Sequence, residues 1–308
     1  MAAQFLGSWH RASKLIGFRV RGVLRFNFFD VMLVTTATLA SHLHDPQWVI
    51  FDCRHDLGDF GKGERLYREQ HIPGAHFAPV ETALSGPKNG ANGRHPLPKP
   101  EAFADFLARH GVSDASTIVV YDDVGGQYSA RLWWMARWIG LRKVALLDGG
   151  YPKWVAEKRP VTAEIPIARA TSLPVRSSPE MVWTADEVQQ RLEDPTSVLI
   201  DARTAERYRG EMEPIDRVAG RIPGAVNRFY KSNLNADQTL RPAGELKQEF
   251  EALLAGKSPA NVGHQCGSGV TACANLFAME YAGLSGSKLY AGSWSEWIAD
   301  PTRPIAKG

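Results

Sequence analysis

Val49-Ile-Phe-Asp-Cys-Arg54 returns as Val198-Leu-Ile-Asp-Ala-Arg203, 149 positions further along the chain. Three consecutive apolar residues ahead of Asp-x-Arg fit a strand buried on both faces, because a strand with one wet face alternates. The likeness extends outward at the same offset. Val34-Thr-Thr-Ala-Thr-Leu39 matches Trp183-Thr-Ala-Asp-Glu-Val188, and Asp45-Pro46 matches Asp194-Pro195. His71-Ile-Pro-Gly-Ala75 recurs as Arg221-Ile-Pro-Gly-Ala225 at offset 150. Leu147-Asp-Gly-Gly-Tyr-Pro-Lys-Trp154 recurs as Tyr290-Ala-Gly-Ser-Trp-Ser-Glu-Trp297 at offset 143. A single repeat of this length marks a duplicated domain, not a solenoid.

The repeat sets the expected boundaries. Residues 1–31 form a basic extension, 32–156 a first domain, 157–182 a linker and 183–308 a second domain. The linker contains Pro160, Pro166, Pro174 and Pro179, as an interdomain crossing should. Within each copy, strand and helix alternate. Thr184 and Glu187 read as a capping box that opens a helix. Ile118-Val-Val-Tyr121 reads as a buried strand. Ala130 to Trp138 and Thr271 to Glu280 read as helices. The fold class expected is therefore α/β, with two tandem domains, each a mostly parallel sheet flanked by helices. Ligands in such sheets lie beyond the carboxyl ends of the strands.

Bulk properties exclude several classes. The chain has 308 residues and a formal charge of +3, too small to argue for a nucleic-acid partner. No apolar stretch approaches the roughly 20 residues of a membrane span. Cys53, Cys266 and Cys273 are too few for a disulfide framework and suit a reducing compartment, which points to the cytoplasm. Residues 1–29 hold Arg11, Lys14, Arg19, Arg21 and Arg25 and no acid. They read as an upstream extension or, if they act as a transit peptide, as a mitochondrial address.

The chemistry is concentrated in Cys266-Gly-Ser-Gly-Val-Thr271, between a strand and a helix. Two glycines in four residues let the backbone curl and turn its N–H groups inward. The helix that follows aims its positive end at the same point, which favours a thiolate on Cys266. Cys53, after a buried strand, and Cys273, inside an apolar helix, read as inert core thiols.

Cys-Gly-Ser-Gly-Val-Thr, His71-Ile-Pro-Gly-Ala, Asp201-Ala-Arg and Gly292-Ser-Trp-Ser-Glu-Trp297 together make the chain resemble the two-domain rhodanese-type sulfurtransferases. These are the thiosulfate and 3-mercaptopyruvate sulfurtransferases, and the resemblance runs from about Met32 to the C-terminus. It implies two tandem rhodanese-like domains, a catalytic second copy and a silent first. Asp122 stands where the first copy would deliver its cysteine, and a carboxylate cannot carry sulfane sulfur. The resemblance implies a persulfide on Cys266, a small-molecule sulfur donor, and a thiol, thioredoxin-like or cyanide acceptor. No cofactor and no metal is implied.

Within the family, Cys-Gly-Ser-Gly-Val-Thr looks like the 3-mercaptopyruvate type and Cys-Arg-Lys-Gly-Val-Thr like the thiosulfate type. Loop cations would compensate dianionic thiosulfate, whereas a neutral loop with a hydroxyl suits a monoanionic thiol-keto acid. The resemblance assigns Gly267, Gly269, Val270 and Thr271 to the sulfur cradle. It assigns Arg207 and Arg217 to the donor carboxylate, for which a planar guanidinium offers two parallel hydrogen bonds. A serine–histidine–aspartate relay maps to Ser268, His71 and Asp59. Arg203 is expected to brace its domain by pairing with a carboxylate.

Other readings remain. A thiosulfate sulfurtransferase would use the same persulfide. A cysteine phosphatase needs Cys-x5-Arg, and the sixth residue after Cys266 is Ala272. A sulfur-carrier or redox-sensing module would retain the loop without turnover. The strand before the cysteine, Asn261-Val-Gly-His-Gln265, is polar where a buried strand should be apolar. His264 alternates with Cys266 and reads as a strand residue, not a base.

Overall fold

The computed structural model describes residues 32–308, so the basic extension lies outside the described residues. The first sheet contains β1 (Leu33–Val34), β2 (Trp48–Asp52), β3 (Ala75–Phe77), β4 (Thr117–Tyr121) and β5 (Val144–Leu147), in the order β1-β5-β4-β2-β3. The second contains β6 (Val198–Asp201), β7 (Val226–Asn227), β8 (Val262–Gln265) and β9 (Lys288–Leu289), in the order β7-β6-β8-β9. Every strand pair is parallel. The helices are α1 (Thr36–Ser41), α2 (Lys62–Glu69), α3 (Pro100–Arg109), α4 (Ser129–Trp138), α5 (Gly150–Ala156), α6 (Ala185–Arg191), α7 (Ala205–Arg209), α8 (Ala243–Leu254), α9 (Ala272–Tyr281) and α10 (Ser293–Trp297). The capping box at Thr184 and Glu187 opens α6 in both directions.

The duplication is visible in the wiring. β4 lies between β2 and β5, and β8 lies between β6 and β9. Asp122 and Cys266, the residues that follow those two strands, are therefore counterparts. Each copy also carries an aspartate–arginine brace. Arg54 Nη2 lies 2.6 Å from Asp52 and reaches the Gln70 carbonyl, while Arg203 Nη2 lies 2.7 Å from Asp201 and reaches the Gly220 carbonyl. Both pairs are buried, where the forked hydrogen bonds offset the desolvation of the charges.

The polar strand keeps its ladder, with Ile200 opposite His264 and Asp201 opposite Gln265. His264 is fully buried with no partner at either ring nitrogen among the described residues, and burial pulls it down to about 3. It is a neutral core residue. The Gln265 amide is likewise unpaired, so this strand carries a real desolvation cost.

The two halves share one core. α4 of the first packs on α9 of the second, with Trp133 edge-on to Phe277 at 5.0 Å between ring centroids. Segment 171–178 is tied to the first half through Thr171, Arg176 and Ser178, which donate to the carbonyls of Ala108, Ile139 and Trp138. No helix among the described residues is long and apolar enough to cross a membrane.

Candidate functional site

The loop after β8 is shaped by contacts that only glycine permits. Gly269 has φ +75°, and a Cβ there would run into the Ala291 carbonyl. Cys266 is 2% exposed; its N–H donates to Ser293 Oγ, and its carbonyl accepts from Trp294 N–H. The N–H groups of Gly267, Ser268, Gly269, Val270 and Thr271 donate to no protein group among the described residues. They are free to meet an anion.

The first copy shows the same cradle with its anion built in. The Asp122 carboxylate accepts the N–H groups of Val124, Gly126, Tyr128 and Ser129 at 2.8–3.0 Å, and also the Ser129 hydroxyl. A carboxylate thus fills the place that Cys266 has in the second copy. That loop presents a carboxylate and no thiol.

Ser268 meets a histidine, but not the expected one. His95 Nδ1 lies 2.8 Å from Ser268 Oγ, and His95 Nε2 lies 2.6 Å from Glu81 Oε1. With Glu81 ionised, Nε2 carries the proton and Nδ1 accepts from the serine hydroxyl. Burial takes His95 down to about 4 despite the nearby Glu81 charge, so the ring is neutral at neutral pH. Burial works to raise Glu81, but hydrogen bonds from Lys88 and His95 outweigh it and hold the carboxyl below its usual range.

His71 and Asp59 are placed elsewhere. His71 is buried with its ring nitrogens against the carbonyls of Tyr67 and Glu164, and its backbone pairs with Thr162. Its repeat counterpart, Arg221, makes the equivalent backbone pairing with Ala306. Position 71 therefore closes the domain in both copies. Asp59 is exposed and paired with Arg65.

The loop that delivers His95 is strapped onto the second half. Gly93, at φ +82°, has no room for a Cβ beside the Gly292 carbonyl. Arg94 N–H donates to Ser295 Oγ, and Ser295 N–H donates to the Gly267 carbonyl. From beneath, the fully buried Arg131 donates to the carbonyls of Gly269, His95 and Leu84. This first-half arginine clamps the cysteine loop to the segment that carries the histidine.

A cavity of about 230 Å³ opens over the loop, lined by Cys266, Gly267, Ser268, Arg94, Arg207 and Tyr230 among others. Arg207 is where the sequence placed it. Arg217 is not, because its Nη2 donates to the Ile298 carbonyl and it is absent from the lining. Beside Arg207 the lining holds Arg94, from the first half, and Arg203. A Cβ on Gly267 would lie 2.7 Å from Arg94 Nη2 and 3.3 Å from Arg207 Nη2. Arg203 bonds Asp201 and Glu213, as a brace should.

His55, Glu81 and His95 bring three ligand-type atoms within 4.8 Å of one another. The 2.6 Å between Glu81 and His95 is a hydrogen-bond length. Two ligands of one tetrahedral zinc would stand roughly 3.3 Å apart, so this pair is spaced as a hydrogen bond. Cys53 and Cys273 are fully buried. Burial raises both thiols, Cys273 to about 12, which leaves them inert.

Known proteins match the chain over most of its length. The rhodanese-like domain matches residues 35–157 and again residues 184–300. A probable 3-mercaptopyruvate sulfurtransferase of Pseudomonas aeruginosa is 45% identical over 91% of this chain and 99% of its own length. A putative thiosulfate sulfurtransferase of Mycobacterium tuberculosis is 36% identical, over 90% of this chain and 97% of its own. Among solved structures, the 3-mercaptopyruvate sulfotransferase SseA of Escherichia coli superposes with a TM-score of 0.74 at 32% identity, covering 86% of this chain and all of that one. The 3-mercaptopyruvate sulfurtransferase of Leishmania major gives 0.77 at 29% identity, covering 87% of this chain and 74% of that one.

Proposed function

The chain belongs to the rhodanese-like domain family, and from that premise we propose that it is a sulfurtransferase that takes sulfur from 3-mercaptopyruvate onto Cys266 and passes it to a thiol, a thioredoxin-like dithiol or cyanide. The observation that carries the choice of donor is the hydrogen bond from Ser268 to a neutral, buried His95. Thiosulfate brings no proton to move; its S–S bond breaks and sulfite leaves. Mercaptopyruvate brings a thiol proton that must leave sulfur and reach carbon. A serine–histidine–carboxylate relay is of use only to the second donor.

The reaction balances as follows. The Cys266 thiolate attacks the donor sulfur, the C–S bond breaks, and its electron pair passes into the enolate of pyruvate. The relay through Ser268 and His95 takes the proton from sulfur and returns it to the enolate carbon. Cys266 then bears an anionic persulfide, which the free N–H groups of residues 267–271 are placed to hold. Arg207 and Arg94 receive the donor carboxylate and set its sulfur in line with Cys266.

In this reading residues 183–308 carry the nucleophile. Residues 32–156 carry none, but they contribute His95, Glu81, Arg94 and Arg131. The active-site thiol must stay reduced to work, which suits the cytoplasm. The test is the ratio of kcat/KM for 3-mercaptopyruvate to that for thiosulfate. A ratio well above one is expected. A strong preference for thiosulfate would move the assignment to the rhodanese reaction.

A further inference from the structure

The anion subsite over Cys266 already contains a carboxylate. Asp216 Oδ1 lies 2.9 Å from Arg94 Nε, and its Oδ2 lies 3.2 Å from Arg94 Nη2 and 3.1 Å from Arg207 Nη2. The Asp216 side chain is 3% exposed. Resting on the keto-acid reading above, we propose that Asp216 is a built-in occupant of the donor-carboxylate subsite, which the donor displaces and which thereby sets donor affinity.

Three observations support displacement over a purely bracing role. First, Arg207 does not need Asp216 as a counter-ion. Glu213, 2% exposed, spans Arg207 Nε at 3.1 Å and Nη2 at 2.7 Å. Second, Asp216 stands on a turn that Glu213 holds by itself, since Glu213 Oε1 accepts the N–H groups of both Ile215 and Asp216. The Asp216 side chain can rotate away while that turn persists. Third, the subsite abuts the nucleophile, because a Cβ on Gly267 would lie 3.6 Å from Asp216 Oδ2. A donor carboxylate seated between the two arginines would occupy the same space.

The charge balance sharpens the point. Arg94, Arg203 and Arg207 face Asp201, Glu213 and Asp216 in one network. With Asp216 in place, those arginines offer no net charge to an entering anion; with it swung out, they offer one positive charge. Burial pushes the Asp216 carboxyl up against the pull of Arg94. An occupant that holds a site about nine-tenths of the time weakens the apparent affinity of a competitor about tenfold.

The experiment uses the full chain, with Asp216→Asn to remove the charge and Asp216→Ala to remove the group. KM for 3-mercaptopyruvate and the inhibition constant of 2-oxobutyrate, a keto acid without sulfur, should both fall about tenfold in both variants. Unchanged or raised values would overturn the proposal and make Asp216 a brace that orients the arginines. Carboxyl labelling of the unmutated protein provides a second reading that does not depend on the variants folding. Labelling of Asp216 relative to the exposed Glu211 should rise when 2-oxobutyrate binds, and a constant or lower ratio would overturn the proposal equally. The underlying reading fails in a different way. If the unmutated enzyme forms no persulfide from 3-mercaptopyruvate, the choice of donor is wrong and this inference falls with it.

Discussion

His95 Nδ1 stands 2.8 Å from Ser268 Oγ, a hydrogen bond between residues 173 positions apart. The cysteine loop of the second copy is thus completed by a loop of the first. Since one core unites the halves, the chemistry depends on how they dock as well as on either sheet.

Cys266 should be the only sulfur carrier. Incubation with 3-mercaptopyruvate should add one sulfur to the intact mass, and Cys266→Ser should abolish both that adduct and turnover. Cys53→Ser and Cys273→Ala should still form it, since both residues are buried and protonated. Loss of the adduct in either of these, with the fold intact, would overturn the assignment.

The relay should discriminate between donors. General acid–base groups contribute about 10²–10⁴-fold, so His95→Asn should slow persulfide formation from 3-mercaptopyruvate by about 100-fold or more. Glu81→Gln should also slow it, by a smaller factor. Thiosulfate, which brings no proton, should react at nearly the unmutated rate in both. His71→Ala should instead cost stability, about 1–3 kcal/mol for a buried hydrogen-bonded group, with turnover preserved in the folded fraction. Equal slowing with both donors in His95→Asn would show that the residue supports the loop and not proton transfer.

Arg207 and Arg94 should matter in the first half-reaction. Losing a charge-assisted contact costs about 1.5–3 kcal/mol, which is roughly ten- to hundred-fold in kcat/KM. Arg207→Ala and Arg94→Ala should each form persulfide slowly, while preloaded enzyme discharges to a thiol at the unmutated rate. Arg217→Ala, whose guanidinium faces the Ile298 carbonyl, should leave the donor KM unchanged. A large KM effect there would restore Arg217 to the site.

Acid should destabilise the protein before it stops the relay. His76 and His95 are held near 4, and His264 near 3, all chiefly by burial. Unfolded histidine titrates near 6.5. Between these values the unfolded chain binds protons that the folded chain refuses, so this contribution is complete above about pH 6.5 and is lost as pH falls toward 4. The denaturant midpoint should be flat above pH 7 and decline steadily below 6.5. The acid limb that His95 imposes on kcat/KM should lie near pH 4. A limb centred at 6.5 would mean that the ring is exposed to water in the working enzyme.

Much of this protein was legible in its sequence because the relevant signals are local. The apolar runs of β2 and β6, the Asp-x-Arg braces and the glycine loop each lie within a few residues, so the duplicated sheets and the nucleophile could be read directly. Arg207 came from the family resemblance, and it lines the cavity over the loop. The partner of Ser268 and the arginine that stands beside Arg207 could not be read this way, because they cross from the other half. Reasoning by motif chose His71, yet the repeat contained a warning: Arg221 occupies the same place and makes the same backbone pairing. The repeat also held a clue to the right segment. Its offset drops from 150 at the Ile-Pro-Gly-Ala motif to 143 at the last one, so the first copy has seven additional residues in between. Arg94-His95 lies in that interval. Sequence alone determined the sheets and the sulfur-bearing loop, because chain-local geometry decides both. Only the tertiary structure decided which histidine, carboxylate and second arginine face that loop, because the docking of the two halves brings them there and no periodicity along the chain records it.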